Sequence, residues 1–395
     1  MCESSKYLSR LTIGIDATNL LKGGGMTHLR EVLRKALIDC DVVDKVVVWG
    51  RQETLDLLEN RPWLSKISPP QLKHGWLLRI LWQRFVLPKQ VLIHECDILF
   101  VPGGNHSGKF SPVVAVSQNL LPFEWVELFR YGWTIMTFKF LILRWLQSRS
   151  FRQADGLIFL THYAKKKISH CLGNSQAKSI IIPHGLSKRF NSKPKVQKSI
   201  SEFSNTNPFR ILYVSQIDQY KHQWNVVEAV SKLRQDGFPI VLDLVGSSYP
   251  PALTKLKTAI ARLPNAIECV SYHGEIPYKE LHKQYQISHL GIFASSCENL
   301  PNILLEVMAS GLPIACSNRG PMPEILQKAG VYFNPEKPKD IQRALLNLIV
   351  SGKLREEKAK ASYQLAQAYS WECCSEKTFG FICEIAKKYN SQYQR

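Results

Sequence analysis

Glu298 and Glu306, separated by seven residues, bracket the stretch of this chain with the densest chemistry: Cys297-Glu298-Asn299-Leu300-Pro301-Asn302-Ile303-Leu304-Leu305-Glu306, followed by Val307-Met308-Ala309-Ser310-Gly311-Leu312-Pro313. A carboxylate accepts hydrogen bonds in pairs, and vicinal hydroxyls donate them. Pro301 suits the first position of a helix, and Gly311 with Pro313 stops it. The spacing therefore predicts Glu298 in the loop before the helix and Glu306 in its second turn. Asn299, Leu300 and Pro301 form the helix entrance, where backbone N–H groups and the positive end of the dipole receive an anion without a metal. One carboxylate for a hexose, one for a ribose and a helix start for a diphosphate describe a nucleotide-sugar site. Glutamates at this spacing are common in any helical protein. The Asn-Leu-Pro-Asn entrance and the Ala309-Ser310-Gly311 stop set this pair apart.

The elements that position these residues follow the pattern of parallel α/β sheets. Short apolar runs alternate with helical stretches. Leu11-Thr12-Ile13-Gly14-Ile15 reads as the first strand, ended by Asp16, and Gly23-Gly24-Gly25 leads into a helix from about Met26 to Leu37. Val46–Trp49, Ile98–Val101, Val113–Val116, Leu157–Leu160 and Ile180–Ile182 read as further strands. In the second half, the same reading applies to Ile211–Ser215, Leu242–Val245, Ile292–Ala294 and Leu312–Cys316. The polar residues 191–208 read as a linker. The expected organisation is an N-terminal Rossmann-like domain over 1–195, a second over 196–370 and a C-terminal helix over 371–395.

Loops after these strands supply further candidates. Gly24 and Gly25 permit close backbone approach to a phosphate or sugar, with a simple flexible loop as the competing reading. His106 follows a strand, in a position that lines clefts of doubly wound sheets, but surface histidines are equally common there. Gln118 and Asn119 follow the next strand, where an Asn also caps turns.

Composition narrows the classes. At 395 residues the chain has room for two ordinary domains. No run of 18 apolar residues occurs, so no spanning helix is expected. The N-terminal residues 1–6 show neither an h-region nor a cleavage site. The ten cysteines form no Cys-x-x-Cys pair, which points away from zinc and redox sites and toward a reducing cytosol. The net charge is +19, and residues 1–195 hold 28 Lys and Arg against 14 Asp and Glu. Such a field attracts anionic partners: membrane lipids, lipid-linked pyrophosphates or nucleic acid. No nucleic-acid-binding motif is visible. The stretches from Trp76 to Phe85 and from Phe129 to Arg149 interleave aromatics with Arg and Lys. Basic amphipathic helices of this kind lie at membrane surfaces; one alone is more often a core helix with a solvated side, but two in the basic N-terminal domain favour shallow contact with an anionic membrane surface.

Taken together, these motifs resemble the retaining glycosyltransferases of family 4, with their Glu-x7-Glu motif and GT-B fold. The resemblance covers nearly the whole chain: Gly23-Gly24-Gly25, Ile182-Pro183-His184-Gly185, Ile211-Leu212-Tyr213-Val214-Ser215 with Lys221 after it, Leu242-Asp243-Leu244-Val245-Gly246, His273-Gly274-Glu275-Ile276-Pro277 and the Glu298–Glu306 segment. It implies two Rossmann-like doubly wound domains facing a cleft, with the last helix packing back on the first domain. It further implies that Lys221 reaches the donor phosphates, Glu298 holds the donor sugar, Glu306 the ribose, and Gln118 and Asn119 lie near the transferred sugar. Gln216 stands where many relatives carry an Arg, so a neutral phosphate contact replaces a charged one.

The expected activity is metal- and cofactor-free transfer of a sugar from a nucleoside diphosphate to a hydroxyl. The expected acceptor is a glycan or polyprenyl-pyrophosphate-linked glycan at the cytoplasmic face of a membrane, in polysaccharide or lipopolysaccharide assembly. Rival readings are a nucleotide-sugar epimerase or phosphorylase on the same scaffold, and a basic nucleic-acid-binding protein.

Overall fold

The computed structural model describes residues 10–393 apart from 22, 40, 74, 174, 175 and 264, and only the backbone of 76, 77 and 393. Residues 1–6, Cys40 and the side chains of Trp76 and Leu77 thus lie outside the described residues.

Thirteen described strands form two parallel sheets. The first contains β1 (Leu11–Asp16), β2 (Val43–Trp49), β3 (Leu64–Ile67), β4 (Ile98–Val101), β5 (Val113–Val116), β6 (Gly156–Phe159) and β7 (Lys178–Ile181), in the order β3-β2-β1-β4-β5-β6-β7. The second contains β8 (Phe209–Val214), β9 (Ile240–Val245), β10 (Val270–Tyr272), β11 (Leu290–Phe293), β12 (Ile314–Ser317) and β13 (Gly330–Phe333), in the order β10-β9-β8-β11-β12-β13. Central strands are covered on both faces and read as unbroken apolar runs, as Val46-Val47-Val48-Trp49 does with every residue buried. The strands missing from the sequence reading, β3, β10 and β13, are all sheet edges. Their short, mixed sequences Leu-Ser-Lys-Ile, Val-Ser-Tyr and Gly-Val-Tyr-Phe lack that apolar signature because edges are only half covered.

Each sheet steps outward from its first strand and then reverses across it. The reversal falls between β1 and β4 in one sheet and between β8 and β11 in the other. Loops at the carboxyl ends of such neighbouring strands splay to opposite faces and leave a crevice for ligands.

The chain divides into two compact units. Unit 1 comprises Met1–Phe123, Phe138–Gly185 and Trp371–Arg395, and unit 2 comprises Glu124–Thr137 and Leu186–Ser370. The division thus falls at 185/186 rather than the expected 195/196. The polar stretch 191–208 is fastened to unit 2: Ser192 N–H donates to Ala309 O at 2.9 Å, and the buried Arg355 guanidinium donates to Gln197 Oε1 at 3.1 Å and to the Lys198 carbonyl. Residues 371–393 belong to unit 1, where Ser375 Oγ donates to Val32 O at 2.7 Å. A further segment, 124–137, leaves the β5–β6 connection and packs in unit 2.

The aromatic–basic helices are partly core elements. Trp82 and Gln83 of Trp76–Phe85 are buried, and Gln83 Nε2 donates to Asp16 Oδ2 at 2.7 Å. The Ile135–Gln153 helix buries Phe140, Gln147 and Phe151. Among the described residues, no helix is long and apolar enough to cross a membrane.

Candidate active site

In unit 2 the loops after β8 and β11, on either side of the reversal point, carry Lys221 and Glu298. Lys221 Nζ donates to Glu298 Oε1 in a nearly buried ion pair. The ammonium also lies over the Tyr220 ring at 4.9 Å and the Phe293 ring at 5.3 Å. Its backbone is set by the single turn Gln219–Lys221, capped by Asp218, whose Oδ1 accepts from Gln219 N–H at 2.7 Å. Tyr213 Oη, from β8, donates to the Lys221 carbonyl at 2.7 Å. The next residue, His222, takes a left-handed φ of 53° and starts the Gln223–Gln235 helix. Two loops from opposite sides of a reversal point thus deliver one cation and one carboxylate to the same spot.

Gln216 directs its side chain to the surface while its carbonyl accepts from Gln223 Nε2 at 2.8 Å. Asn299, Leu300 and Pro301 are buried at the entrance of the Asn302–Ala309 helix. Pro301 is the residue before the first turn rather than its first member, and no side chain caps this helix. Gly311 follows with φ of +67°, the left-handed stop that its position predicted.

Glu306 lies in the second turn and is buried, with Tyr285 Oη donating to its Oε2 at 3.2 Å. Burial pushes its carboxyl up to about 7, against the hydrogen bonds from Tyr285 and Tyr278 and the charge of Arg189. The two glutamates therefore have different environments: Glu298 is ion-paired beside Lys221, and Glu306 sits among tyrosines.

Unit 1 holds the other candidates. Gly24 and Gly25 are the first two residues of the Gly24–Lys35 helix, not a loop ahead of it, and Gly23 precedes them with φ of 81°. Gly25 faces the Gln118 side chain, where an added Cβ would lie 3.9 Å from Gln118 Cγ. Gln118 Nε2 donates to His28 Nδ1 at 3.1 Å. Asn119 Oδ1 accepts from Leu121 N–H at 3.1 Å, a turn-capping bond. His106 is buried, its backbone N–H donates to Ser150 Oγ at 2.8 Å, and burial depresses its imidazole to about 4.

Sequence reasoning missed several residues. His28 stacks on His184 at 4.7 Å, and His184 on Trp371 at 5.5 Å, so this stack joins the segment of unit 1 that ends at Gly185 to the one that begins at Trp371. Tyr285 is the partner of Glu306. In segment 124–137, Tyr131 Oη donates to Asp218 Oδ1 at 2.8 Å and Glu127 Oε2 lies 2.7 Å from Ser296 Oγ. These contacts join residues far apart in sequence, and no local pattern announces them.

Two Rossmann-like parallel-sheet units with the candidate site at a reversal point define a GT-B protein. Residues 195–365, within the second unit, match the family model of the glycosyl transferases group 1. The chain is 25% identical over 198 residues to the sulfoquinovosyl transferase SQD2 of Arabidopsis thaliana, covering 48% of this chain and 37% of the relative. It is 28% identical over 109 residues to the O-antigen chain mannosyltransferase B of Escherichia coli, covering 28% and 29%. The chain thus spans little more than a third, or less, of the length of these curated relatives. Among solved structures, sucrose-phosphate synthase from Thermosynechococcus elongatus superposes with a TM-score of 0.73 at 14% identity, over 94% of this chain and 98% of the other. Anabaena HepE in complex with UDP does so with 0.68 at 15% identity, over 94% and 98%.

Proposed function

We propose that the protein is a retaining glycosyltransferase that moves a sugar from a nucleoside-diphosphate sugar to a hydroxyl acceptor. The observation that carries this reading is the Lys221–Glu298 pair at the reversal point of a group 1 glycosyltransferase domain, beside a helix start without a side-chain cap. In the reaction the bond from the anomeric carbon to the diphosphate oxygen breaks, and the acceptor oxygen bonds to that carbon on the same face. The acceptor proton passes to the departing phosphate oxygen, so no protein base is needed. Lys221, Gln216 and the backbone of the 299–302 entrance stabilise the charge that develops on the diphosphate. Glu298 accepts hydrogen bonds from the donor sugar, and Glu306 from the ribose. Because these groups supply the electrostatic stabilisation, the transfer is metal- and cofactor-independent. Gly24 and Gly25 approach the donor, Asn119 acts at the transferred sugar, and His106 and Gln118 serve the acceptor side. Similarity to an O-antigen chain mannosyltransferase of Escherichia coli, and over 152 residues at 28% identity to the amylovoran biosynthesis glycosyltransferase AmsK of Erwinia amylovora, supports a glycan acceptor in surface-polysaccharide assembly. The acceptor is a lipid-linked glycan presented at the cytoplasmic face of a membrane.

Thermal stabilisation by GDP-, UDP-, ADP- and dTDP-sugars, measured on wild type and Glu306→Ala, tests the donor site. One donor is expected to raise the melting temperature of wild type, with affinity falling roughly 10- to 100-fold in the variant, the range of a lost hydrogen bond to a charged group. A variant that binds that donor as tightly as wild type removes Glu306 from the site.

A further inference from the structure

Segment 124–137 has two unlike sides. Its inner side is fastened to both loops of the candidate donor site. Tyr131 Oη donates to Asp218, which caps the turn carrying Lys221. Ser296, two residues before Glu298, places its hydroxyl 2.7 Å from Glu127 Oε2 and 2.8 Å from His222 Nε2. Burial, then the nearby cations, depress the His222 imidazole to about 3, so it is neutral; Nε2–H donating to Ser296, which donates to Glu127, satisfies all three groups. Arg130 donates to Glu127 at 2.7 Å and pairs with Glu336, which ties the segment to the residues after β13.

The outer side is apolar and uncovered. Val126, Trp133 and Ile135 are 69%, 84% and 86% exposed, and Trp125 and Phe129 are about half exposed. Trp125, Phe129 and Trp133 stand in a ladder, with ring centroids 5.9 and 6.4 Å apart. Single exposed apolar residues are ordinary, but five within eleven residues are a contact surface. Its chemistry points to one occupant. Trp and Phe favour the boundary between lipid headgroups and acyl chains. The segment runs directly into the Ile135–Gln153 helix, whose exposed stripe carries Phe138, Ile142 and Trp145 and then, at the same helical spacing, Arg149 and Arg152. Apolar residues followed by arginines match a bilayer with anionic headgroups.

We infer that segment 124–137 is a membrane-docking strap that couples an anionic lipid surface to the order of the candidate donor site, an inference whose coupling half rests on the site assignment above. The apolar side is accessible while the inner side is bonded to the Lys221 and Glu298 loops. A bilayer that binds this state and not a detached one shifts the population toward it and holds both loops in place.

The test uses the full chain with vesicles of phosphatidylcholine, with and without phosphatidylglycerol, and no donor. Wild type pellets with the phosphatidylglycerol vesicles, and amide exchange over residues 215–221 and 295–298 slows roughly threefold or more when they are added. The triple variant Val126→Ser, Trp133→Ser, Ile135→Ser loses both effects; Trp133→Ser alone, at least tenfold weaker in pelleting (about that order), replaces it should the triple variant melt early. Tyr131→Phe still pellets but loses the slowing. Wild type that stays in the supernatant overturns the proposal and leaves the apolar side to a protein partner. Variants that pellet like wild type, or loop exchange that vesicles do not change, overturn it as well. Failure of every nucleotide sugar in the thermal panel would sink the transferase reading without altering these vesicle results.

Discussion

Glu306 is a buried acid. Its carboxyl rises from 4.5 to about 7 because the helix, Tyr285 and the sheet exclude water around it. The fold therefore favours the protonated form, and the stability this contributes is fully present below 4.5 and is lost as pH rises through about 7. Glu306→Gln is expected to melt with wild type near pH 4 and above it at pH 8, by up to about 3 kcal/mol. Melting temperature against pH checks this, and a constant difference across that range would contradict it. Ribose hydroxyls bind the ionised form better, so donor affinity should tighten as pH rises through 7 in wild type and stay level in Glu306→Gln, as titration calorimetry at several pH values would show. Lys221 acts at the same scale but by charge. Lys221→Ala leaves Glu298 without its cation and, in the proposed mechanism, removes a stabiliser of the leaving diphosphate. Turnover with the donor that stabilises wild type is expected to fall roughly 100- to 1,000-fold, and a fall below tenfold would assign the phosphate contact elsewhere.

At the scale of elements, the two loops are positioned by the carboxyl ends of β8 and β11, and β9 constrains the first of them. Gly246 follows β9 with φ of +145°, and a Cβ there would lie 2.2 Å from the Ser215 carbonyl oxygen. Gly246→Ala must push the Ser215–Gln216 backbone aside. We expect a loss of about 2 kcal/mol or more in denaturant unfolding, together with weaker donor binding. A variant as stable as wild type would show that the loop yields easily. Helix punctuation was readable at this scale: Gly311 stops the glutamate helix as its position indicated, and Pro301 stands one residue earlier than a first-turn proline. The edge strands were not readable, because half-covered strands tolerate polar residues. The roles of Tyr131 and Glu127 were not readable either, since the strap meets its partners some 87 and 169 residues away in sequence.

For the whole molecule, charge and chain path dominate. The excess of Lys and Arg lies in residues 1–195, and vesicle binding through exposed basic groups should weaken steeply between roughly 0.05 and 0.5 M salt. Salt-independent pelleting would indicate purely apolar contact. Chelation by EDTA should leave transferase activity intact, and loss restored by Mg²⁺ would contradict the metal-independent reading. The longer of the chain's two excursions from unit 1 leaves at Gly185 and returns at Trp371, and the His28–His184–Trp371 stack clamps both of these points. Burial, and secondarily His184, hold the His28 imidazole well below its usual range. Its contribution is therefore present above pH 6.5 and lost as pH falls below it.

Apolar periodicity, turn residues and the Glu298–Glu306 segment by themselves determined the parallel α/β class, the central strands and the identity of the donor-side candidates. Those are local properties: strand covering, helix stops and residue chemistry are written in consecutive positions. Only the tertiary structure decided that Lys221 and Glu298 meet, that Glu306 is buried against Tyr285, that the polar stretch 191–208 is docked on unit 2 and not a free tether, and that the segment 124–137 crosses to that unit. Each of these depends on which distant surfaces pack together, and the free energy of such packing comes from areas and partners that no short window of sequence contains.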